Sequence, residues 1–186
     1  MRPRLPTRMS VTRRAEKEQR LGEFVREYLA ETNSGRRLRG SDVLVIARSV
    51  ESPVVRAIAS RAGDIVATGC SVRMIIALAD RQFPPCNWVL SPDTEVDCEV
   101  RWARRPRLIE AHEQLVLGPE TCWIGDSMRR EPAKCDAYES YVEACMATAS
   151  AATVSFERLW AASEPLLGHA PVARGSREPV GLARRH

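Results

Sequence analysis

Alternating apolar and polar positions divide the chain into a series of regular elements. Between residues 13 and 31, apolar side chains recur every three or four residues, which predicts a helix with one buried stripe made of Leu21, Phe24, Val25, Tyr28 and Leu29. Turn residues at positions 32–35 end this helix. A helix of this kind can be a docking face for a partner, but the simpler interpretation is that it covers a sheet.

Two continuous apolar runs, VLVIA at 43–47 and VRMIIAL at 72–78, predict strands that are buried on both faces. Between them, Ser52 and Pro53 have the chemistry of a helix start. We expect that helix to continue to Thr68, with Val66 on its apolar face and Gly69 as its stop. A strand, a helix and a second strand in this order predict a right-handed parallel crossover.

The second half of the chain predicts a hairpin and a closing helix. Three prolines in residues 79–95 favour a loop, and residues 96–102 alternate as a third strand. Two apolar strands, 113–117 and 121–125, are separated by the turn residues Gly118 and Pro119. A strand at 137–143 and a helix at 146–163 follow. The pattern predicts one α/β domain over residues 15–165, with a mixed sheet flanked by helices.

The net charge of +4 over 186 residues is unevenly distributed. Residues 1–14 carry five arginines and no acidic residue, and residues 165–186 carry four arginines against one glutamate. The residues between these two segments therefore have a net charge of about −4. We expect residues 1–14 and 166–186 to be disordered tails. The tails could make weak nucleic-acid contacts, but an acidic body is a poor footprint for gripping a phosphate backbone.

The six cysteines include no C-x-x-C pair, and the three histidines are not spaced for zinc, so we expect no metal site and no cofactor. The chain has no run of about 18 apolar residues, and its arginine-rich start is not followed by the apolar segment of a secretory signal. We therefore expect a cytoplasmic protein with reduced thiols and without membrane association.

The hairpin carries a pattern that resembles the single-motif half of the phospholipase D superfamily. That motif has a histidine, a lysine two residues later, an apolar strand, an acidic turn residue, a second strand and then Gly-Ser with an asparagine. His112, the turn residue Glu120 and Gly125 match it. Gln114 stands at the lysine position, and Asp126 or Ser127 at the serine position. The order of elements over residues 15–165 is also similar, and the Phe-Glu-Arg-Leu-Trp stretch at 156–160 resembles the closing helix of the superfamily.

The resemblance implies a homodimer in which two copies of the motif histidine face each other. One histidine would attack phosphorus to form a phosphohistidine, and the other would protonate the leaving group. Applied to this chain, the resemblance implies catalytic roles for His112 and Gln114. The residues around them add further candidates: Glu139, or alternatively Asp136, as a catalytic carboxylate that orients the imidazole, and Arg104, Arg105, Asp126 and Ser127 as phosphate contacts. The alternatives are that His112 is a structural histidine and that the arginines, together with Arg101 and Arg107, form a solvated strand end.

Two departures from the motif argue against efficient catalysis. Gln114 removes a cation where negative charge accumulates, and losing one preorganised donor typically costs about 10²- to 10³-fold in rate. Asp126 would repel a phosphate. The preferred hypothesis is therefore a degenerate, dimeric phospholipase D-like protein that is catalytically impaired and acts as a binding or regulatory module. The alternative hypothesis is an active, metal-independent phosphodiesterase or nuclease with His112 as nucleophile.

Overall fold

The computed structural model describes residues 10–37, 41–77, 96–103, 111–128 and 136–166. These residues form eight strands and four helices. In chain order they are β1 (Ser10–Arg13), α1 (Arg14–Asn33), β2 (Val43–Ala47), α2 (Pro53–Ala59), α3 (Ala62–Thr68), β3 (Val72–Ile76), β4 (Cys98–Trp102), β5 (His112–Leu117), β6 (Thr121–Ser127), β7 (Asp136–Val142), α4 (Met146–Ala161) and β8 (Glu164–Pro165).

The strands form a mixed sheet in the order β1-β7-β6-β5-β2-β3-β4-β8. Strands β2, β3 and β4 run parallel to one another, whereas β5 runs antiparallel to β2 and continues into the antiparallel β5-β6-β7 meander. The start of β5 therefore lies beside the carboxyl end of β2. The predicted α/β architecture, with a mixed sheet flanked by helices, is confirmed.

Helices cover both faces of the sheet. On one face, α1, α2 and α3 pack their apolar side chains against those of the central strands, including Val45, Met74, Leu115 and Trp123. On the other face, α4 contributes Phe156 and Trp160 to a second apolar cluster. The uninterrupted apolar run of β2 follows from this arrangement, because every residue of that strand is buried.

Most predicted elements are present within one or two residues of the expected bounds. The helix predicted from Pro53 to Thr68 is an exception, since the structure divides it into α2 and α3. Arg61 lies at the break with φ −116° and ψ 15°, outside helical geometry. The break rotates the second segment, so Val66 is 45% exposed instead of lying on the apolar face. Gly69 ends α3 at φ +70°, as predicted.

Two further findings depart from the sequence-based expectations. Residues 10–13, within the predicted N-terminal tail, pair antiparallel with β7 as the edge strand β1. Cys98 is disulfide-bonded, which corrects the expectation of reduced thiols throughout, whereas Cys70, Cys122 and Cys145 are free. The predictions for residues 1–9, 79–95, 129–135 and 167–186 lie outside the described residues. No helix in the described ranges is long and apolar enough to cross a membrane.

Candidate functional site

His112 is the first residue of β5 and is exposed. Its Nδ1 lies 3.0 Å from the backbone oxygen of Gly125. Because a carbonyl oxygen can only accept a hydrogen bond, Nδ1 must carry the proton in this contact. In the neutral ring, Nε2 is then the unprotonated nitrogen, which is the one available as a nucleophile or ligand.

A shift in register separates His112 from the regular part of the hairpin. His112 pairs with Ser127 and Gln114 pairs with Ile124, so Glu113 faces two residues of β6, Gly125 and Asp126. An added Cβ at Gly125 would collide with the Trp123 ring, so only glycine fits beneath the indole. The extra residue disrupts the regular alternation of side chains along β6. Asp126 therefore meets α1, on the same side of the sheet as Glu113 and Trp123.

Lys17 of α1 is the partner of both carboxylates, although it is only 2% exposed. Its Nζ lies 3.1 Å from Oδ2 of Asp126 and 3.6 Å from Oε2 of Glu113. The ammonium also lies 4.9 Å from the centre of the Trp123 ring, within the range of a cation–π interaction. One positive and two negative charges thus share a poorly solvated space directly behind the hairpin exit. We call Lys17, Glu113 and Asp126 the lysine cluster.

Arg48, which follows β2, fixes the hairpin exit to the centre of the sheet. Its Nη2 donates to the backbone oxygens of Ser127 at 2.9 Å and of Met128 at 2.6 Å. Its backbone N–H donates to Oε1 of Glu113 at 3.2 Å. The Glu113 carboxylate therefore contacts both Arg48 and Lys17. The predicted phosphate contact Ser127 lies at this junction, with its carbonyl engaged by the guanidinium.

Gln114, at the position of the motif lysine, faces α4. Its side chain is buried, and Nε2 donates to the backbone oxygen of Ala152 at 3.0 Å. His112 lies two residues away and on the same face of β5, but at the exposed end of the strand. The amide of Gln114 therefore anchors α4 to the sheet.

Glu139, the predicted orienting carboxylate, is fully buried in β7. It accepts hydrogen bonds from Nη1 of Arg20 at 3.0 Å and from the hydroxyl of Tyr141 at 3.1 Å. Burial, and then the nearby Glu139, raise the pKa of Tyr141, which keeps the phenol protonated as a donor. The His112 imidazole contacts the backbone carbonyl of Gly125. The backbone of Asp136, the other candidate, pairs with Arg13.

Arg104 and Arg105, the predicted phosphate contacts, lie outside the described residues. Arg101 of the same cluster is described, and it belongs to β4, three strands away from β5. Its Nε pairs with Glu99 at 3.0 Å, and its guanidinium stacks on Trp160 at 4.4 Å. Within the described ranges, no group of three His, Cys, Asp or Glu side chains could hold a metal ion.

The sequence analysis did not identify Lys17 or Arg48 as part of this region. A signal for Lys17 exists, because it lies four residues before Leu21 and therefore falls on the apolar stripe of α1. A lysine on such a stripe must either extend its amine to solvent or find a buried partner. No comparable signal marks Arg48, whose contacts depend on the register of the hairpin.

Comparison with solved structures identifies similar folds at low sequence identity. Nuc from Salmonella typhimurium, a phospholipase D family member, aligns with a TM-score of 0.53 and 10% identity over 87% of this chain and 99% of Nuc. NucT from Helicobacter pylori aligns with a TM-score of 0.52 and 10% identity over 86% of this chain and 99% of NucT.

A third similar structure is TrmBL2, an archaeal chromatin protein with a novel mode of DNA binding, at a TM-score of 0.52 and 12% identity. The alignment covers 86% of this chain but 55% of TrmBL2, so the chain spans about half of that protein. No protein-family model and no curated protein sequence matches the chain. Similarity at 10–12% identity shows the fold alone. The predicted phospholipase D-like α/β fold is confirmed on that basis.

Proposed function

We propose that this chain is a phospholipase D-like domain that acts as a binding or regulatory module and is impaired in phosphodiester hydrolysis. The observation that carries the proposal is the lysine cluster. Lys17 is the cation that α1 brings to the hairpin exit, and Glu113 and Asp126 hold it with two negative charges. An ammonium that is already paired with two carboxylates is poorly placed to stabilise the negative charge of a phosphodiester transition state.

The neighbouring polar groups support the same conclusion. The side chain of Gln114 is buried and its amide already donates to Ala152, so it is poorly placed to hold a phosphate oxygen. The guanidinium of Arg48 donates to the two carbonyls at the hairpin exit. Freeing either group would require the loss of a hydrogen bond that anchors α4 or the hairpin. These residues instead stabilise the fold around an exposed His112.

Hydrolysis of a bis-aryl phosphodiester and of single-stranded DNA, with EDTA present, tests this proposal. The matched pair of variants is His112→Ala and His169→Ala, which remove one histidine each, from the hairpin and from the C-terminal segment. We expect all three proteins to show only background hydrolysis. Turnover by the wild type that is lost in His112→Ala and kept in His169→Ala would contradict the proposal.

The alternative function is an active metal-independent phosphodiesterase or nuclease, and one observation favours it. The hydrogen bond to Gly125 leaves Nε2 of His112 as the unprotonated nitrogen of the neutral ring. In this mechanism Nε2 attacks phosphorus, and the leaving alkoxide takes a proton from His112 of the second copy. Water then hydrolyses the phosphohistidine. The missing motif cation would have to come from the arginines at positions 104 and 105.

We further propose that the chain forms a homodimer that brings the two copies of His112 together, since one chain supplies a single hairpin. In a two-fold symmetric interface, a residue on the symmetry axis faces the same residue of the second copy, and every other contact between two residues occurs twice. Sedimentation equilibrium gives the association state. A cysteine introduced at His112 should crosslink two copies, in a background that replaces Cys70, Cys122 and Cys145, the cysteines that are free in the described part of the chain. A strictly monomeric protein would exclude this arrangement.

We also propose that any contact with nucleic acid is weak and uses the basic terminal segments, because the segment between them is acidic. Fluorescence anisotropy with labelled DNA should show binding that weakens steeply with salt. Removing residues 1–9, which carry three arginines, should reduce it. Binding that is unchanged after removal of both terminal segments would refute this proposal.

A further inference from the structure

Two free cysteines lie next to each other where α4 begins, on the opposite end of the hairpin from His112. Cys122 of β6 pairs with Val142 of β7. Three residues after Val142, beyond the end of β7, the backbone N–H of Cys145 donates to the oxygen of Glu120 at 3.0 Å, one residue out of register with the ladder. Cys145 is therefore a diagonal neighbour of Cys122, and both side chains pack in the apolar cluster beneath α4.

Cys145 has the environment of a reactive thiol. It is the N-cap residue of the 16-residue helix α4 and is partly exposed. The preceding residue, Ala144, has φ +53°. The Sγ of Cys145 lies 3.1 Å from the hydroxyl of Thr148. The hydrogen bond from Thr148, together with the backbone N–H groups of the first helical turn, lowers the pKa of the Cys145 thiol.

Cys122 has the opposite environment. It is fully buried, and burial, followed by the nearby Cys145, raises the pKa of its thiol to about 11. The pair thus consists of a partly exposed sulfur whose thiol pKa is lowered and a buried sulfur whose thiol pKa is raised. A low-pKa, accessible cysteine beside a second cysteine is the arrangement typical of redox-sensitive sites.

We infer that Cys145 is a site of oxidation by hydroperoxides and that Cys122 resolves the product into a disulfide. The Cys145 thiolate attacks one oxygen of the peroxide, the O–O bond breaks, and the sulfur becomes a sulfenic acid while hydroxide or alkoxide leaves. Cys122 then loses its proton and attacks that sulfur, an S–S bond forms, and water leaves. The two sulfurs are oxidised by two electrons and the peroxide is reduced.

Closing the bond requires a small structural change. Diagonal neighbours on an antiparallel ladder are about 7–8 Å apart, slightly beyond the Cα separation of an ordinary disulfide. The first turn of α4 must therefore move toward β6, so the oxidised protein would hold α4 in a different position against the hairpin. This inference does not depend on the proposed function, because neither cysteine contacts His112 or the lysine cluster in the described part of the chain.

Treating the full-length protein with hydrogen peroxide and mapping its peptides by mass spectrometry tests the inference. We expect loss of two hydrogens and a crosslinked peptide pair that joins Cys122 to Cys145. In Cys122→Ala, Cys145 should instead gain one oxygen and be trapped by dimedone. In Cys70→Ala, the crosslink should form as in the wild type.

Two threonines of α4 provide a matched control for the chemistry. Thr148→Val removes the hydroxyl beside the Cys145 sulfur and should slow its oxidation several-fold. Thr153→Val removes a hydroxyl that donates to Ala149 in the same helix and should leave the rate unchanged. Dimedone labelling of Cys145 no faster than that of buried Cys70, or no Cys122–Cys145 crosslink in any form of the protein, would overturn the inference.

Discussion

Replacing Lys17 by methionine removes the positive charge that lies between Glu113 and Asp126 but keeps most of the apolar stem. The side chains of Glu113 and Asp126 are 8% and 16% exposed, so water can solvate the remaining carboxylates only in part. Removing one partner of a buried ion pair costs about 3–5 kcal/mol, because the other charge stays buried without compensation. Since Asp126 is partly solvated, we expect about 3 kcal/mol for Lys17→Met, a large share of the stability of a domain of this size.

Urea unfolding gives the free energy of unfolding for the wild type and each variant. The informative comparison is the triple variant Lys17→Met, Glu113→Gln and Asp126→Asn, which replaces all three charges with neutral groups of similar shape. It should recover most of the lost stability, because the cost arises from the unpaired charges. Asp64→Asn, in an ion pair of 3.9 Å whose carboxylate is half-exposed, should change the free energy by about 0.5 kcal/mol or less.

A loss below about 1 kcal/mol for Lys17→Met would refute this reasoning, since it would mean that the carboxylates are well solvated without the lysine. Equal losses in the single and triple variants would also count against it. In that case the effect would come from packing of the lysine stem and not from charge.

Three further predictions concern the elements that position the hairpin. In urea unfolding, Gly118→Ala should destabilise the protein more than Gly35→Ala. Both glycines have φ above +60°, which costs an alanine about 1–2 kcal/mol. A Cβ at Gly118 would in addition lie 2.5 Å from a tyrosine hydroxyl of α1. Equal losses would contradict this close approach of the turn to α1. Phe156→Ala should cost about 3–5 kcal/mol, measured in the same way, because the ring is fully buried beneath α4; a loss below 1 kcal/mol would argue against that packing. Arg73 lowers the pKa of Glu157 below its ordinary value of 4.5, so this ion pair stabilises the fold above that pH and its contribution disappears as the pH falls through the folded pKa. Acid unfolding of Glu157→Gln should therefore show a weaker pH dependence below about 4.5 than the wild type, and an unchanged dependence would contradict the pairing.

The elements that the sequence predicted well are those whose signal is local. The stripe of α1, the apolar run of β2 and the turn at Gly118 each depend on residues a few positions apart, and all three are present as expected. The break in the predicted helix at 53–68 is less visible, because it results from the backbone angles of Arg61, an ordinary helix former.

The arrangement around His112 could be predicted only in part, because it depends on contacts between distant segments. The sequence indicated the histidine, the hairpin and the loss of the motif lysine. It did not indicate that Asp126 would turn toward α1, since that follows from a register shift between two strands. The sequence also offered Glu139 or Asp136 as an orienting carboxylate for the imidazole, and in the structure Arg20 and Tyr141 donate hydrogen bonds to Glu139.

The central claim is that the first chemical step, attack of His112 on a phosphodiester, does not occur at a useful rate. The most direct measurement is intact-mass analysis of the protein after incubation with excess single-stranded DNA or a bis-aryl phosphodiester in EDTA, quenched in alkali, where a phosphohistidine survives. We predict no covalent adduct in the wild type. An adduct that maps to His112 and is absent from His112→Ala would contradict the account and establish the alternative, phosphohistidine mechanism.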